Sequence, residues 1–399
     1  MLSIRNQFIQ HCKTSASLVV QSPGRINLIG EHIDYNHGFV LPAAIDKYIE
    51  VAIAKRLDGM VQMVALDVGE TIIVPIHSLT PHATQWVNYI IGVLDQVIKH
   101  RPSATTIKEG FDICIQGNIP LGAGLSSSAA LECAVLFALN ELYQLSFSKM
   151  EMALMAQQAE HEFAGVKCGI MDMFASLYGQ KNKAILLDCE SLAYHYYPLN
   201  LNEYSIVLLD TQIKHTLASS EYNTRRLECE QGLALIQKKF PHLKTFRELS
   251  LQQLAEGLEA ASISKAATLY KRCTYVVEEI TRVQAAVKDL EQNDIISFGK
   301  KMFETHKGLS SLYEVSCPEL DFLVEAVSDN ENVMGARMMG GGFGGCTINI
   351  IKKTAVEKIV KLLQNKYEAV MQKQLGVYIT SIEQGTRDRK STRLNSSHT

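Results

Sequence analysis

Apolar and polar residues alternate over residues 48–55 (YIEVAIAK), and similar patterns run over 60–65, 71–76 and 111–116. A period of two places every second side chain on one face, so each stretch predicts a half-buried strand. Residues 86–100 (WVNYIIGVLDQVIKH) repeat their apolar positions at helical spacing, and two further helices are predicted at about 128–144 and 148–164. Residues 204–210 (YSIVLLD) read as a buried strand. From 217 to about 330 the pattern is almost wholly helical. Two strand candidates then flank a run of glycines, followed by a helix at about 353–374 and a last strand at 377–382. Strands and helices mixed without regular β-α-β alternation predict an α+β fold rather than a doubly wound sheet. A domain boundary is expected near 190. The polar, basic segment 387–399 (RDRKSTRLNSSHT) is expected to lie outside the fold.

Composition narrows the function. The 399 residues suffice for two domains, and 47% hydrophobic with 20% charged residues is ordinary for a globular protein. A net charge of −3 leaves no basic footprint, so a nucleic-acid partner has no support. No apolar stretch approaches the ~18 residues of a membrane span. The first residues, MLSIRNQFIQHCK, lack a continuous apolar core, so no signal peptide is expected. The nine cysteines form no C-x-x-C pair and read as reduced thiols in the cytoplasm. No large exposed apolar stripe is evident, so a monomer is expected.

Four segments carry candidate chemistry. Residues 120–130 (PLGAGLSSSAA) follow a predicted strand and open a predicted helix. Gly122 and Gly124 let amides turn inward, and Ser126, Ser127 and Ser128 start the helix, whose N-terminus favours an anion. No Lys follows the glycines, so this is not a Walker A loop, and Ser127 breaks the dinucleotide fingerprint. A flexible turn with an ordinary Ser cap is the competing reading. Residues 22–36 (SPGRINLIGEHIDYN) set Arg25, Asn27, Glu31, His32 and Asp34 among apolar residues, a donor and acceptor set suited to a polyol. By composition alone, an exposed loop with normal charges is favoured. Residues 335–349 (GARMMGGGFGGCTIN) match G-x-G-x-x-G formally, but a strand follows where that motif needs a helix. So many glycines point to close approach of backbone and ligand. In residues 160–174 (EHEFAGVKCGIMDMF), Asp172 sits among apolar residues and is a candidate for catalytic or charge-pairing work, while Glu160 ends a helical run.

These motifs, in this order, resemble the galactokinase family of the GHMP kinase superfamily from about Ser17 to Thr386. The signature PGRxNLIGEHxDYN belongs to its sugar-type members; the PLGAGLSSSA and GGGFGG loops are shared more widely. The resemblance implies a two-domain GHMP kinase fold with its active site in the cleft between the domains. Residues 1–190 would form an N-terminal domain like ribosomal protein S5 domain 2, and 191–386 a ferredoxin-like C-terminal domain. It implies phosphoryl transfer from ATP with Mg²⁺ to galactose. Glu31, His32, Asp34 and Tyr222 would bind the sugar. Gly122, Ala123, Gly124, Leu125, Ser126, Ser127 and Ser128 would wrap the phosphates, and Ser128 and Glu160 would hold the metal. Asp172 would act at the attacking hydroxyl with Arg25 beside it. Alternatives are a kinase for N-acetylgalactosamine or another small alcohol, and a non-catalytic sensor of galactose and ATP. Met173 stands where the family usually has Gln, and His37 where Gly or Glu is common.

Overall fold

The computed structural model describes residues 2–101, 107, 109–120, 122–213, 218–265 and 267–389. Helix α1 (Ile4–Cys12) leads into strand β1 (Leu18–Asn27), then β2 (Phe39–Val40), β3 (Pro42–Lys55), β4 (Met60–Ala65) and β5 (Glu70–Pro75). Helix α2 (Gln85–His100), strand β6 (Gly110–Gly117) and helices α3 (Ser127–Tyr143), α4 (Lys149–Ala159) and α5 (Met171–Tyr178) follow. Ser148 starts α4 with a capping box closed by Glu151, which satisfies amides that a helix end leaves open. The predicted helix at 148–164 in fact changes at Glu160 into one π-helical turn, 160–164. Such turns redirect a helix side chain and gather at functional sites.

Strands β7 (Lys183–Asp188), β8 (Tyr194–Pro198) and β9 (Tyr204–Asp210) precede a helical stretch: α6 (Ala218–Lys239), α7 (Leu251–Ala260), α8 (Thr268–Glu291), α9 (Ile295–Ser311) and α10 (Pro318–Glu325). The chain ends in β10 (Val333–Met338), β11 (Cys346–Lys352), α11 (Val356–Met371), β12 (Gly376–Thr380) and β13 (Arg387–Asp388).

Among the described residues the strands form three sheets. The largest has the order β13-β1-β3-β6-β4-β5 and is antiparallel except where β4 runs parallel to β6. Helix α1 covers one face through Ile4 and Phe8, while α3 packs on β1 and β3. The second sheet, β10-β11-β9-β12, is antiparallel throughout. Its β-α-β-β-α-β path and strand order are those of a ferredoxin-like layer, as the resemblance implied. The third, β2-β7-β8, is small, and the boundary expected at 190 falls in the turn between its paired strands β7 and β8.

Two expectations change. Composition favoured an exposed loop for residues 22–36, yet β1 occupies much of it, and Arg25, Asn27, Glu31, His32 and Asp34 are all buried. Charges buried in that number require partners. The tail does not leave the fold at Arg387. Arg387 and Asp388 pair with Gln21 and Val20 of β1, and Arg389 meets Glu50 at 2.8 Å. The free edge of β1 offers main-chain hydrogen bonds that even a polar segment takes up. The rest of the tail lies outside the described residues. Met173 is fully buried in the core and does not line the site cavity.

Candidate active site

Strand β1 carries Arg25 into the interior, where it makes a two-pronged pair with Asp172 at the start of α5: Nε to Oδ1 at 2.8 Å and Nη2 to Oδ2 at 2.9 Å. Its remaining Nη1 donates to the carbonyl of Gly124 at 2.7 Å. One guanidinium thus ties the signature strand, the glycine loop and α5 together, a use for which the planar fork of Arg suits. Ser126 donates its hydroxyl to Asp172 Oδ2 at 2.5 Å. It is the N-cap residue of α3 but makes no side-chain cap. The Ser-cap reading of this loop is therefore replaced by one in which no side chain competes for the first-turn amides of α3.

The two glycine-rich loops meet backbone to backbone. A Cβ on Gly124 would lie 3.1 Å from the Met339 carbonyl, and one on Gly340 would lie 3.2 Å from the Gly124 carbonyl; both residues have positive φ. The run of glycines at 340–345 therefore serves, in part, to seat the phosphate loop.

Three carboxyl groups crowd this point. Asp34 is buried, and burial first, then the charge of Asp172, raises its pKa to about 7. Glu160, also buried, is raised to about 7 by the same two causes in the same order. It accepts from Ser128 Oγ at 3.1 Å and from the Cys168 thiol at 3.6 Å. Gly169 makes room for Asp34: a Cβ there would fall 2.0 Å from Asp34 Oδ2.

Glu31 and His32 are held from the other half of the chain. Arg337 of β10, fully buried, donates to Glu31 Oε2 at 2.9 Å, and the Gly340 amide donates to the same oxygen at 3.1 Å. Arg337 also reaches the carbonyls of Leu28 at 3.0 Å and Met338 at 2.6 Å, and that of Asn27. From α8, Tyr275 donates to the Glu31 carbonyl at 2.8 Å, and Glu279 accepts the Gly30 amide at 2.9 Å. The Gly341 carbonyl lies 3.2 Å from His32 Nε2 and can only accept, so that nitrogen carries the proton. Nδ1 then accepts from the Tyr35 hydroxyl at 2.7 Å. Burial lowers the His32 pKa to about 4, so the ring is neutral near pH 7. With both nitrogens engaged inside the protein, His32 ties the signature turn to the glycine loop; it has no ring nitrogen free for a sugar hydroxyl. Tyr222 on α6 packs its ring 5.2 Å from that of His32.

These side chains enclose a cavity of about 250 Å³ lined by Arg25, Glu31, His32, Asp34, Glu160, Asp172 and Tyr222, among others. Of the site residues expected from sequence, Arg25, Glu31, His32, Asp34, Glu160, Asp172 and Tyr222 line this cavity, Ser126 and Ser128 bond to its wall through Asp172 and Glu160, and Gly122, Ala123, Leu125 and Ser127 do not line it. Residues not singled out beforehand are Arg337, Tyr35 and Glu279. Arg337 and Tyr35 stood inside quoted motifs, and a charged residue in an otherwise apolar strand (MGARM) was the available signal. Glu279 sits mid-helix and gave none.

Residues 6–55 match the galactokinase galactose-binding signature, 88–180 the GHMP kinases N terminal domain and 286–369 the GHMP kinases C terminal. The sequence is 43% identical to a galactokinase of Thermotoga maritima over 351 residues, 87% of this chain and 93% of that one. The chain belongs to the galactokinase family. The fold agrees: the Lactococcus lactis galactokinase complexed with galactose superposes with a TM-score of 0.89 at 33% identity, covering 96% of this chain and 98% of that one. A mevalonate kinase superposes with a TM-score of 0.62 at 18% identity over 92% of this chain and 99% of that one, which shows the shared fold alone. No helix among the described residues is long and apolar enough to cross a membrane.

Proposed function

We propose that this protein transfers the γ-phosphoryl group of ATP, with Mg²⁺, to the C1 hydroxyl of galactose, giving galactose 1-phosphate and ADP. The observation that carries this is Asp172, held between Arg25 of the sugar signature and Ser126 of the phosphate loop. Sugar and triphosphate sites therefore converge on one carboxylate.

Phosphoryl transfer is mostly positioning and charge neutralisation. The main chain of 122–128 and the uncapped start of α3 accept the triphosphate. Ser128 and Glu160 fit a magnesium ion: a hydroxyl and a carboxyl side by side are hard oxygen donors, and Mg²⁺ takes few protein ligands beside phosphate and water. Bound there, the ion would spread the charge of the transferring group. Asp34 and Glu31 hold sugar hydroxyls, with Tyr222 forming the wall. Asp172 orients the C1 hydroxyl and receives its proton or stabilises it in place, and Arg25 keeps that carboxylate aimed. His32 positions the turn rather than touching the sugar. The nine free thiols suit a reducing cytoplasm, and we take the working form as a monomer.

An ADP-release assay with galactose, glucose and N-acetylgalactosamine tests the proposal. Galactose should give the highest kcat/KM. Tight binding of galactose and ATP without ADP release would make the protein a sensor and overturn the proposal.

A further inference from the structure

Helix α3 begins on the phosphate loop, and Glu132 lies four residues beyond Ser128 on it. Positions i and i+4 share a helix face, and helical side chains lean toward the N-terminus, so Glu132 reaches back beneath Ser128. Ser128 in turn bonds Glu160. The Glu132 side chain is wholly buried, and neither carboxyl oxygen has a hydrogen-bond partner among the described residues. Its neighbours along the helix, Ala129, Ala130, Leu131, Cys133 and Ala134, are the apolar residues such a helix ordinarily buries. Burial, then the charges of Glu160 and Asp172, push its carboxyl well above the ordinary range.

Nothing among the described residues compensates Glu132, so folding alone gives no reason for a carboxyl at this position; an apolar side chain of the same length would fill the space without the desolvation cost. A divalent cation at Ser128 and Glu160 would. No three His, Cys, Asp or Glu side chains among the described residues are arranged to hold a metal by themselves. The cation must therefore complete its shell with phosphate oxygens and water, as Mg²⁺ prefers.

We propose that Glu132 is a positioning residue of the cation site: its carboxyl holds a water of the ion's hydration shell beneath Ser128 and Glu160. The assignment rests on the phosphoryl-transfer reading above. Its test is direct titration with Mn²⁺, followed by the electron paramagnetic resonance of the free ion, in the presence of a non-hydrolysable ATP analogue. The full chain is compared with Glu132→Gln, Glu132→Met and Glu160→Gln. Glu132→Gln should weaken Mn²⁺ binding about 10-fold or more, the range for residues that hold a metal's ligands in place. Galactose affinity, read by calorimetry, should stay within two-fold. Glu132→Met should be at least as heat-stable as the parent without ligands. Mn²⁺ affinity within two-fold of the parent in Glu132→Gln, with clear weakening in Glu160→Gln, would overturn the proposal alone, leaving Glu132 a carboxyl satisfied by ordered water. No change in either variant would overturn the placement of the cation as well. Failure of both Glu132 variants to fold would also overturn it, because the carboxyl would then be serving the ligand-free fold.

Discussion

Replacing Arg337 with Met strikes the link between β10 and the signature turn. The Arg337 side chain is fully buried and donates to Glu31, Leu28, Met338 and Asn27. Methionine restores most of the volume but no donor. Glu31 would keep only the Gly340 amide on its Oε2. Breaking a buried pair from one side costs about 3–5 kcal/mol. Three backbone carbonyls also lose a partner, each worth about 1 kcal/mol when water cannot reach it. A loss of roughly 6–8 kcal/mol follows, a large part of the ~5–15 kcal/mol that holds a typical protein folded. Adding Glu31→Gln to Arg337→Met removes the stranded charge, so the double variant should recover about 2–4 kcal/mol relative to the sum of the single changes. Urea unfolding followed by far-ultraviolet circular dichroism, with matched slopes for all four proteins, measures the cycle. A loss below about 1 kcal/mol in Arg337→Met would refute the reasoning, as would single effects that simply add within ~0.5 kcal/mol.

Asp172→Asn keeps the shape but removes the charge facing Arg25, and kcat should fall at least ~100-fold, the low end for a positioned acid–base group; turnover within a few-fold of the parent would remove Asp172 from both roles. Gly169→Ala would drive a methyl to 2.0 Å from Asp34 Oδ2, so KM for galactose should rise at least ~10-fold while KM for ATP changes little; unchanged galactose kinetics would show that Asp34 does not bind the sugar. Asp34 and Glu160 have folded-state pKa values of about 7, above the ordinary 3.8 and 4.5. Their contribution to ligand-free stability is thus complete below about pH 4 and is lost as the pH rises through about 7, at up to roughly 4 kcal/mol for Asp34 and roughly 3 kcal/mol for Glu160. Urea midpoints between pH 5 and 8 should show this fall, and it should shrink in Asp34→Asn; an identical pH slope in that variant would contradict the assignment.

Much of the fold is written in local periodicity. The helix at 86–100 follows from its apolar positions at helical spacing; the strands at 48–55 and 111–116 alternate in sequence although both faces are covered, because Glu50 and Asp112 are buried with Gln116 and Arg56 as partners. Elements without that contrast escaped. Strand β1 is buried along nearly all its length and carries Arg25 and Asn27, so its sequence imitates a polar loop. Helix α5 is eight residues long and almost wholly buried, with no polar face to give it a period. Strand β13 depends on the free edge of β1, a partner more than 300 residues away in sequence. The site was legible as three motifs and Asp172, since buried charge and clustered glycine are costly and therefore informative. The division of labour was not. His32 looks like a sugar ligand in sequence, and only the Tyr35 hydroxyl and the Gly341 carbonyl, both in place, show its nitrogens to be spent.

The central claim is that sugar and triphosphate meet at Asp172 with the anomeric hydroxyl turned toward the γ-phosphorus. Incubating the protein with MgATP and galactose labelled with ¹³C at C1, and recording the ³¹P spectrum, tests it most directly. A sugar phosphate signal split by coupling to the labelled carbon is the predicted result. Phosphate carried on another carbon, or ATP consumed with no sugar phosphate formed, would contradict it.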